Sequence, residues 1–270
     1  MLYLVATPIG NLGDLSPRAI EVLSAVDMIY CEDTRHTGIL LNHFNIKKPT
    51  RSLHTHNERA RTDEVISVLK EGRDVAYVSD AGMPGISDPG AMLVDACRKE
   101  GLLHTVIPGA SAAIIAAVLS GLPAQPFSFF GFLPREGAPR RETLDAIAKL
   151  DHQVILYESP HRVHATLIDL YDRFGDGPAA VLRELTKKFE TVVTGSLSEL
   201  CERFSEEPKG ECVICFIPGQ KAEEAAPDLD ELLLALLRTE SVKDAAAIAA
   251  ERLRLPKKQV YRRALELKSE

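Results

Sequence analysis

Short apolar runs rich in β-branched residues recur through the first 110 residues and alternate with stretches of helical periodicity. Leu2 to Ala6, Asp27 to Cys31, Asp74 to Ser79 and Leu103 to Ile107 read as strands. Few architectures accommodate such an order, because strands separated by helix-length crossovers pair in parallel and need helices over their faces. The first crossover is well marked: Ser16 caps a helix, Pro17 suits its first turn, and Ala19, Ile20, Leu23 and Val26 repeat at helical spacing. The expected class is α/β, with strand, turn, helix, strand from the start.

Glycine and proline interrupt the pattern near Pro123 to Pro126, where a second α/β lobe is expected to begin. Its strands are read at Phe127 to Phe132, Gln153 to Tyr157, Ala179 to Leu182, Thr191 to Thr194 and Cys212 to Ile217, with a helix from about Arg162. After Gly219 the composition changes. Lys221 to Asp228 is polar and Ala-rich, a linker, and the remainder of the chain reads as three short helices: Asp230 to Leu237, a second capped by Ser241 with Asp244 and running to about Leu253, and a third opened by Pro256 through Leu267. The expected organisation is a lobe over 1–122, a second over 123–219, and a helix-turn-helix-like tail over 228–270.

Hydrophobic residues at 45% and charged residues at 26% place the chain among ordinary globular proteins. The longest near-apolar run, Ala110 to Leu119, has about half of the roughly 20 residues that span a bilayer, and Met1-Leu2-Tyr3 lacks a basic leader, so no membrane partner and a cytoplasmic location are expected. Five scattered cysteines fit a reducing compartment. Cys212 and Cys215 lie three apart in a strand-like segment, on opposite faces, which argues against a shared metal or redox pair. His54 and His56 would face the same way on a strand and could chelate zinc with Glu58, but no fourth ligand is evident from spacing; the expectation is no metal. No Ser/His/Asp nucleophile pattern is visible.

A net charge of −7 disfavours a nucleic-acid partner only if the charge is evenly spread. It is not. Between Glu251 and Arg263 stand six basic residues (Arg252, Arg254, Lys257, Lys258, Arg262, Arg263) against one acid. Two readings stand side by side: a solvated helix face, or a docking face for nucleic-acid phosphates.

Three turns that come after strands could hold a nucleotide-like ligand. Thr7-Pro-Ile-Gly-Asn-Leu-Gly-Asp14 has Pro8 where a dinucleotide fingerprint needs glycine. Ser79 to Gly90 offers Gly82, Gly85 and Gly90 but no P-loop Lys-Ser/Thr pair. Its glycines allow close backbone approach, Pro84 and Pro89 fix its path, and Asp80 and Asp88 supply carboxylates, a combination for a cationic or neutral ligand rather than a phosphate. Pro108-Gly-Ala-Ser-Ala-Ala113 opens a helix of small residues, with Ser111 near its start.

Six segments in order carry a resemblance: Val5-Ala-Thr-Pro-Ile-Gly-Asn-Leu, Glu32-Asp-Thr-Arg-His-Thr37, Ser79 to Gly90, Gly131-Phe-Leu-Pro134, Tyr157-Glu-Ser-Pro-His-Arg162 and Arg183-Glu-Leu-Thr-Lys187. Together they resemble the motifs of the bacterial 16S rRNA (cytidine-2′-O)-methyltransferases of the tetrapyrrole methylase superfamily. The match spans about residues 1 to 219, and the tail resembles the small helical domain that many members carry. The resemblance implies a two-lobed tetrapyrrole-methylase-like α/β fold, S-adenosylmethionine in the cleft between the lobes, a homodimer, and as acceptor a cytidine ribose in the decoding centre of 16S rRNA within the 30S subunit. Cofactor contacts would fall at Ile9, at Asp80, Ala81, Gly82 and Ile86, and at Ser111 and Ala112.

Such a ligand has no phosphate and carries a sulfonium cation, so carboxylates and backbone carbonyls suit it. A ribose hydroxyl is a poor nucleophile at neutral pH and calls for a proton acceptor nearby. Candidates for catalysis are Glu32, Asp33, Arg35, Glu158 and Lys187. For Arg35, Arg162 and Lys187 the functional reading is a clamp on RNA phosphates or developing charge; the structural one is pairing with Asp33, Glu158 or Glu184. RNA contacts are expected at Arg162, Arg252, Lys257, Lys258, Arg262 and Arg263. Two rival functions remain open: a methylase of the same superfamily acting on a small molecule, and a ligand-sensing regulator whose helical tail binds DNA.

Overall fold

The structure is a computed structural model, and it describes residues 1–219, 229–238, 240–253 and 255–269. The expected linker over 221–228 and Arg254 lie outside the described residues, as does the side chain of Arg252. The chain divides into two compact units, Met1–Gly219 and Gln220–Glu270.

The first unit begins with β1 (Leu2–Val5), α1 (Pro17–Ala25), β2 (Met28–Cys31), α2 (Thr34–His43), β3 (Thr50–Ser52), α3 (Glu58–Lys70), β4 (Val75–Val78), α4 (Ala91–Lys99), β5 (His104–Ile107) and α5 (Ala112–Leu119). Its strands form a sheet in the order β3-β2-β4-β1-β5, parallel throughout. Alternate residues point to opposite faces, and both faces are covered. Ala76 and Val78 of β4 face Ala19 and Leu23 of α1 and Leu40 and Leu41 of α2, while Val75 and Tyr77 face Val65 and Leu69 of α3 and Leu93 and Cys97 of α4. That double cover is why these strands read as unbroken apolar runs. Ser16 caps α1 by accepting from the Ala19 N–H at 3.1 Å, with Pro17 in its first turn.

The unit continues with β6 (Phe127–Phe132), α6 (Gly137–Ile147), β7 (Gln153–Glu158), α7 (Val163–Phe174), β8 (Pro178–Arg183), β9 (Thr191–Ser196), α8 (Leu197–Arg203) and β10 (Cys212–Phe216). The second sheet runs β6-β7-β10-β8-β9, with β6 and β7 parallel and the other pairs antiparallel. α6, α7 and α8 bury one face, through residues such as Ile147, Leu167, Leu170 and Leu200. The other face, with Ile155, Ala180, Leu182, Val213 and Cys215, is packed by Ala113, Ala116 and Ala117 of α5 and by Ile9 and Leu185. The small side chains of α5 thus let a helix of the first half lie close on the second sheet. Cys212 and Cys215 belong to opposite faces, as strand alternation requires.

The tail unit consists of α9 (Leu229–Leu236), α10 (Val242–Arg252) and α11 (Lys257–Ser269) around Leu233, Ala246, Ala249, Val260 and Ala264. Ser241 accepts from the Asp244 N–H at 3.2 Å and donates to its carboxylate at 2.6 Å. Among the described residues no helix is long and apolar enough to cross a membrane.

His54 and His56 are not on a strand: β3 ends at Ser52, and residues 54–57 form a turn in which the Asn57 side chain accepts from the His54 N–H at 2.8 Å and donates to the Ser52 carbonyl at 3.3 Å. Asn57 satisfies backbone groups that a longer strand would have paired.

Candidate functional site

The loops at the carboxyl ends of β1, β2, β4 and β5, where parallel sheets place ligands, face the ends of β6 and β7 and the start of β10. Between them lies a cavity of about 440 Å³. The first half contributes Ile9, Glu32, the segment from Asp80 to Asp88, Ser111 and Ala112; the second contributes Phe132, Tyr157 to Pro160, and Glu211 to Val213. All seven residues expected to hold a cofactor line it.

The turn after β4 is held in one shape by its neighbours. Thr7 and Gly82 exchange backbone hydrogen bonds, Thr7 N–H to Gly82 O at 2.9 Å and Gly82 N–H to Thr7 O at 3.1 Å. Thr7 Oγ1 donates to the Ser79 carbonyl at 3.2 Å, and the Gly90 N–H donates to Glu58 Oε1 at 3.1 Å. The Asp80 N–H reaches Glu32 Oε2 at 3.4 Å, while Asp80 Oδ1 accepts from the Asp33 N–H at 3.1 Å. Gly82 sits at φ +81°, and a Cβ there would lie 3.3 Å from Cγ2 of Ile9. Only glycine adopts that backbone without strain.

The lining is electrostatically one-sided. Glu32, Asp80, Asp88, Glu158 and Glu211 are all present, and no lysine, arginine or histidine of the described residues is among them. Burial raises the Glu32 carboxyl above its ordinary range, and the charges of Asp88 and Asp80 push it further. Asp88 is raised by burial and by Asp80. Tyr77, fully buried beside them with an unpartnered hydroxyl, is pushed far up by burial and by the Glu32 and Asp88 charges. Carboxylates held above their usual range without a counter-ion favour a cationic ligand. S-adenosylmethionine fits: its sulfonium answers the acids, its lack of phosphates answers the missing bases, and the glycine cradle lets backbone amides approach it.

The remaining expected site residues separate by environment. Glu158 is 2% exposed, and both its oxygens are engaged, Oε1 by the Ser159 N–H at 2.8 Å and Oε2 by Thr166 Oγ1 at 2.7 Å, with Arg162 Nη2 3.5 Å away. Arg162 also donates to the Leu133 carbonyl at 3.2 Å. Asp33 accepts from the Arg35 N–H at 2.8 Å at the start of α2 and pairs with the exposed Arg35 guanidinium at 2.8 Å, whose hydrogen bonds hold the Asp33 carboxyl well below the usual range. Lys187 is gripped by Glu184 Oε1 and Glu211 Oε2, each at 2.9 Å; burial pulls its ammonium down, and the two carboxylates more than offset this. In the tail, Lys257, Lys258 and Arg262 are exposed, whereas Arg263 is tied to Asp230 at 2.5 Å and Glu266 at 2.8 Å.

Sequence reasoning missed part of the wall. Phe132 and Tyr157 pack edge-to-face at 5.6 Å, and Tyr157 accepts from the Ala113 N–H at 3.1 Å; both lie inside quoted motifs, which was their signal. Glu211, Cys212 and Val213 gave none. They reach the cavity through the register of β10 on β7, which sets Cys212 opposite Glu158. Burial lifts the Cys212 thiol to about 11, so it is a packing residue rather than a nucleophile. A Ser128–His152 contact of 2.8 Å with Asp151 3.4 Å beyond has the elements of a hydrolytic triad. It sits at the amino ends of β6 and β7, away from the cavity, and none of the three lines it.

Residues 1–201 match the family described as Tetrapyrrole (Corrin/Porphyrin) Methylases, and residues 223–268 match the RsmI C-terminal HTH domain. The chain therefore belongs to the tetrapyrrole methylase family. Its relatives include proteins named Ribosomal RNA small subunit methyltransferase I: from Synechocystis, 44% identical over 100% of this chain and 99% of that protein; from Vibrio cholerae, 46% over 98% and 94%; and from Escherichia coli O157:H7, 45% over 98% and 94%. Among solved structures, a diphthine synthase superposes with a TM-score of 0.64 at 17% identity, covering 80% of this chain and 90% of its own. A uroporphyrin-III-C-methyltransferase from Thermus thermophilus gives 0.57 at 23%, covering 81% and 94%. Both share the fold.

Proposed function

We propose that this chain is an S-adenosylmethionine-dependent methyltransferase that 2′-O-methylates a cytidine ribose of 16S rRNA in the decoding centre, acting on the 30S subunit in the cytoplasm. What carries the reading is the 440 Å³ cavity lined by five carboxylates and, among the described residues, no lysine, arginine or histidine, in a chain whose full-length relatives are named as small-subunit rRNA methyltransferases. The cofactor supplies an electrophilic methyl group on a sulfonium. Asp80, Ala81, Gly82 and Ile86, with Ile9, Ser111 and Ala112, hold it, and the carboxylates balance its charge. Phe132 and Tyr157 wall the cavity with apolar surface, and alignment of donor and acceptor supplies much of the acceleration.

We assign the hydroxyl proton to Glu32, which faces the cavity and whose raised affinity for protons suits a general base. Glu158 and Arg162 are positioning residues: their bonds to Ser159, Thr166 and Leu133 hold the ends of β6 and β7. Asp33 and Arg35 order the start of α2, and Lys187 fixes the turn that meets Gly10. The two lobes, 1–122 and 123–219, form the methylase body; the tail over 228–270 contacts rRNA phosphates through Lys257, Lys258 and Arg262, with Arg252 on the same segment and Arg263 serving the tail's own packing.

A homodimer is part of the reading. Leu103 and Val106 at the outer strand β5, with Ile114, Val118 and Leu119 of α5, are exposed at 74%, 45%, 52%, 68% and 41%, an apolar set of the kind that a second copy covers. Transfer of labelled methyl to 30S subunits tests the activity. Incorporation that maps to a cytidine ribose supports it; none sinks it.

A further inference from the structure

A second cavity, of about 340 Å³, lies against the first and shares Ile9, Asp80, Ala81 and Glu211 with it. Its remaining surface is of a different kind. Leu12, Ile39 and Leu40 supply apolar area, and His36 and Lys187 supply the basic groups that the first cavity lacks. One wall is built rigidly: Glu184 and Thr186 hold left-handed backbone at φ 51° and 64°, the Lys187 ammonium is clasped by two carboxylates, and Gly10 makes room for this turn, since a Cβ there would meet Lys187 Cγ and come within 2.8 Å of Thr186 Oγ1. Residues held in such backbone regions persist where surrounding bonds over-determine them, and they cluster at ligand sites.

We propose that this second cavity is the acceptor chamber, receiving one nucleoside of a single-stranded RNA segment. The assignment rests on the methyltransferase reading above and adds where the acceptor enters. An in-line displacement needs donor and acceptor on opposite sides of the transferred group, and two chambers meeting at one wall meet that need. The polarity assigns which is which. The first chamber is lined by five carboxylates, which repel a phosphodiester, whereas the second has two, Asp80 and Glu211, with Lys187 bonded to Glu211 and His36 beside them, so the cationic donor takes the first chamber and the nucleotide the second. Size agrees: about 340 Å³ is at the small end of ligand sites and is enough for a nucleoside turned out of its strand. In the chemical step the hydroxyl oxygen forms its bond to the methyl carbon as the carbon–sulfur bond breaks, the electron pair stays on sulfur, and the hydroxyl proton passes to Glu32, which accepts from the Asp80 N–H beside the shared wall, and then to water.

Ile39 offers the test, because it lines the chamber yet is 65% exposed, so a larger side chain fills space without disturbing the core. For Ile39→Trp, cofactor affinity by calorimetry is expected to stay within about threefold of wild type while kcat/KM on 30S subunits falls at least about 30-fold. His36→Ala, which removes an exposed side chain, is expected to raise KM for 30S subunits about three- to tenfold at unchanged cofactor affinity. An I39W enzyme with wild-type kcat/KM, one that loses cofactor affinity in step with activity, or an H36A enzyme with unchanged KM would overturn the assignment alone. Wild-type enzyme inert on 30S subunits would remove the methyltransferase reading, and this chamber with it.

Discussion

Replacing Gly82 with alanine perturbs the turn that defines the cofactor cavity. Gly82 occupies φ +81°, and moving an ordinary residue into left-handed backbone costs about 1–2 kcal/mol. The new methyl would sit 3.3 Å from Cγ2 of Ile9, tighter than ordinary contact. The turn cannot shift freely to relieve this, because Gly82 and Thr7 exchange two backbone hydrogen bonds, each worth about 1 kcal/mol. The combined cost is about 2–3 kcal/mol, which for a body of this size lowers the melting temperature by roughly 4–12 °C. If the free protein escapes the strain by displacing the turn, binding must restore it, and cofactor affinity falls by about 30- to 150-fold. Thermal unfolding and titration calorimetry on Gly82→Ala measure both numbers. The strain is expected to appear as a lowered melting temperature where the turn stays in place, or as weakened affinity where it is displaced; an unchanged melting temperature together with affinity within threefold of wild type would refute the reasoning.

Glu32→Gln separates stability from catalysis. A carboxyl whose folded affinity for protons is raised costs stability as pH rises through that raised range, so the variant is expected to melt higher than wild type at pH 7.5 and equally at pH 4, while losing about 10²–10⁴ in kcat. In the wild type the same shift makes activity fall with acidification earlier than an ordinary glutamate would dictate; activity of the variant within threefold of wild type contradicts the proton-acceptor role. Truncation after Gly219 leaves the body's cores complete and should preserve cofactor affinity while weakening 30S engagement, with a flatter salt dependence of binding; equal activity on 30S subunits refutes tail docking. Val118→Lys, at a position 68% exposed, should shift sedimentation from dimer to monomer without lowering cofactor affinity, and an unchanged mass would locate the interface elsewhere.

Much of this was legible because its causes are local. The Ser16–Pro17 start of α1, the Ser241–Asp244 cap of α10 and the alternation that parts Cys212 from Cys215 all act within a few residues. The cofactor wall was half legible. Ile9, Asp80 and Ser111 stand in turns whose glycines and prolines mark them, whereas Glu211 and Val213 enter through strand register across more than fifty residues, which no periodicity encodes. Whether His54 and His56 share a strand face was left open by the sequence, and the Asn57 side chain, closing the turn after β3, decides against it. Arg263 reads like its basic neighbours but reaches Asp230, 33 residues away. The second chamber was not legible at all, since it exists only where the β1, β2 and β4 turns meet the strained turn at Glu184 to Lys187.

Mass spectrometry of nuclease-digested 16S rRNA, after incubating unmodified 30S subunits with the enzyme and isotopically labelled S-adenosylmethionine, bears most directly on the central claim. The account predicts one labelled methyl per subunit, on the ribose of a decoding-centre cytidine, absent when the Gly82→Ala enzyme is used at a cofactor concentration below its weakened affinity. Label on a base nitrogen, or no label on 30S subunits from an enzyme that binds the cofactor tightly, would contradict it.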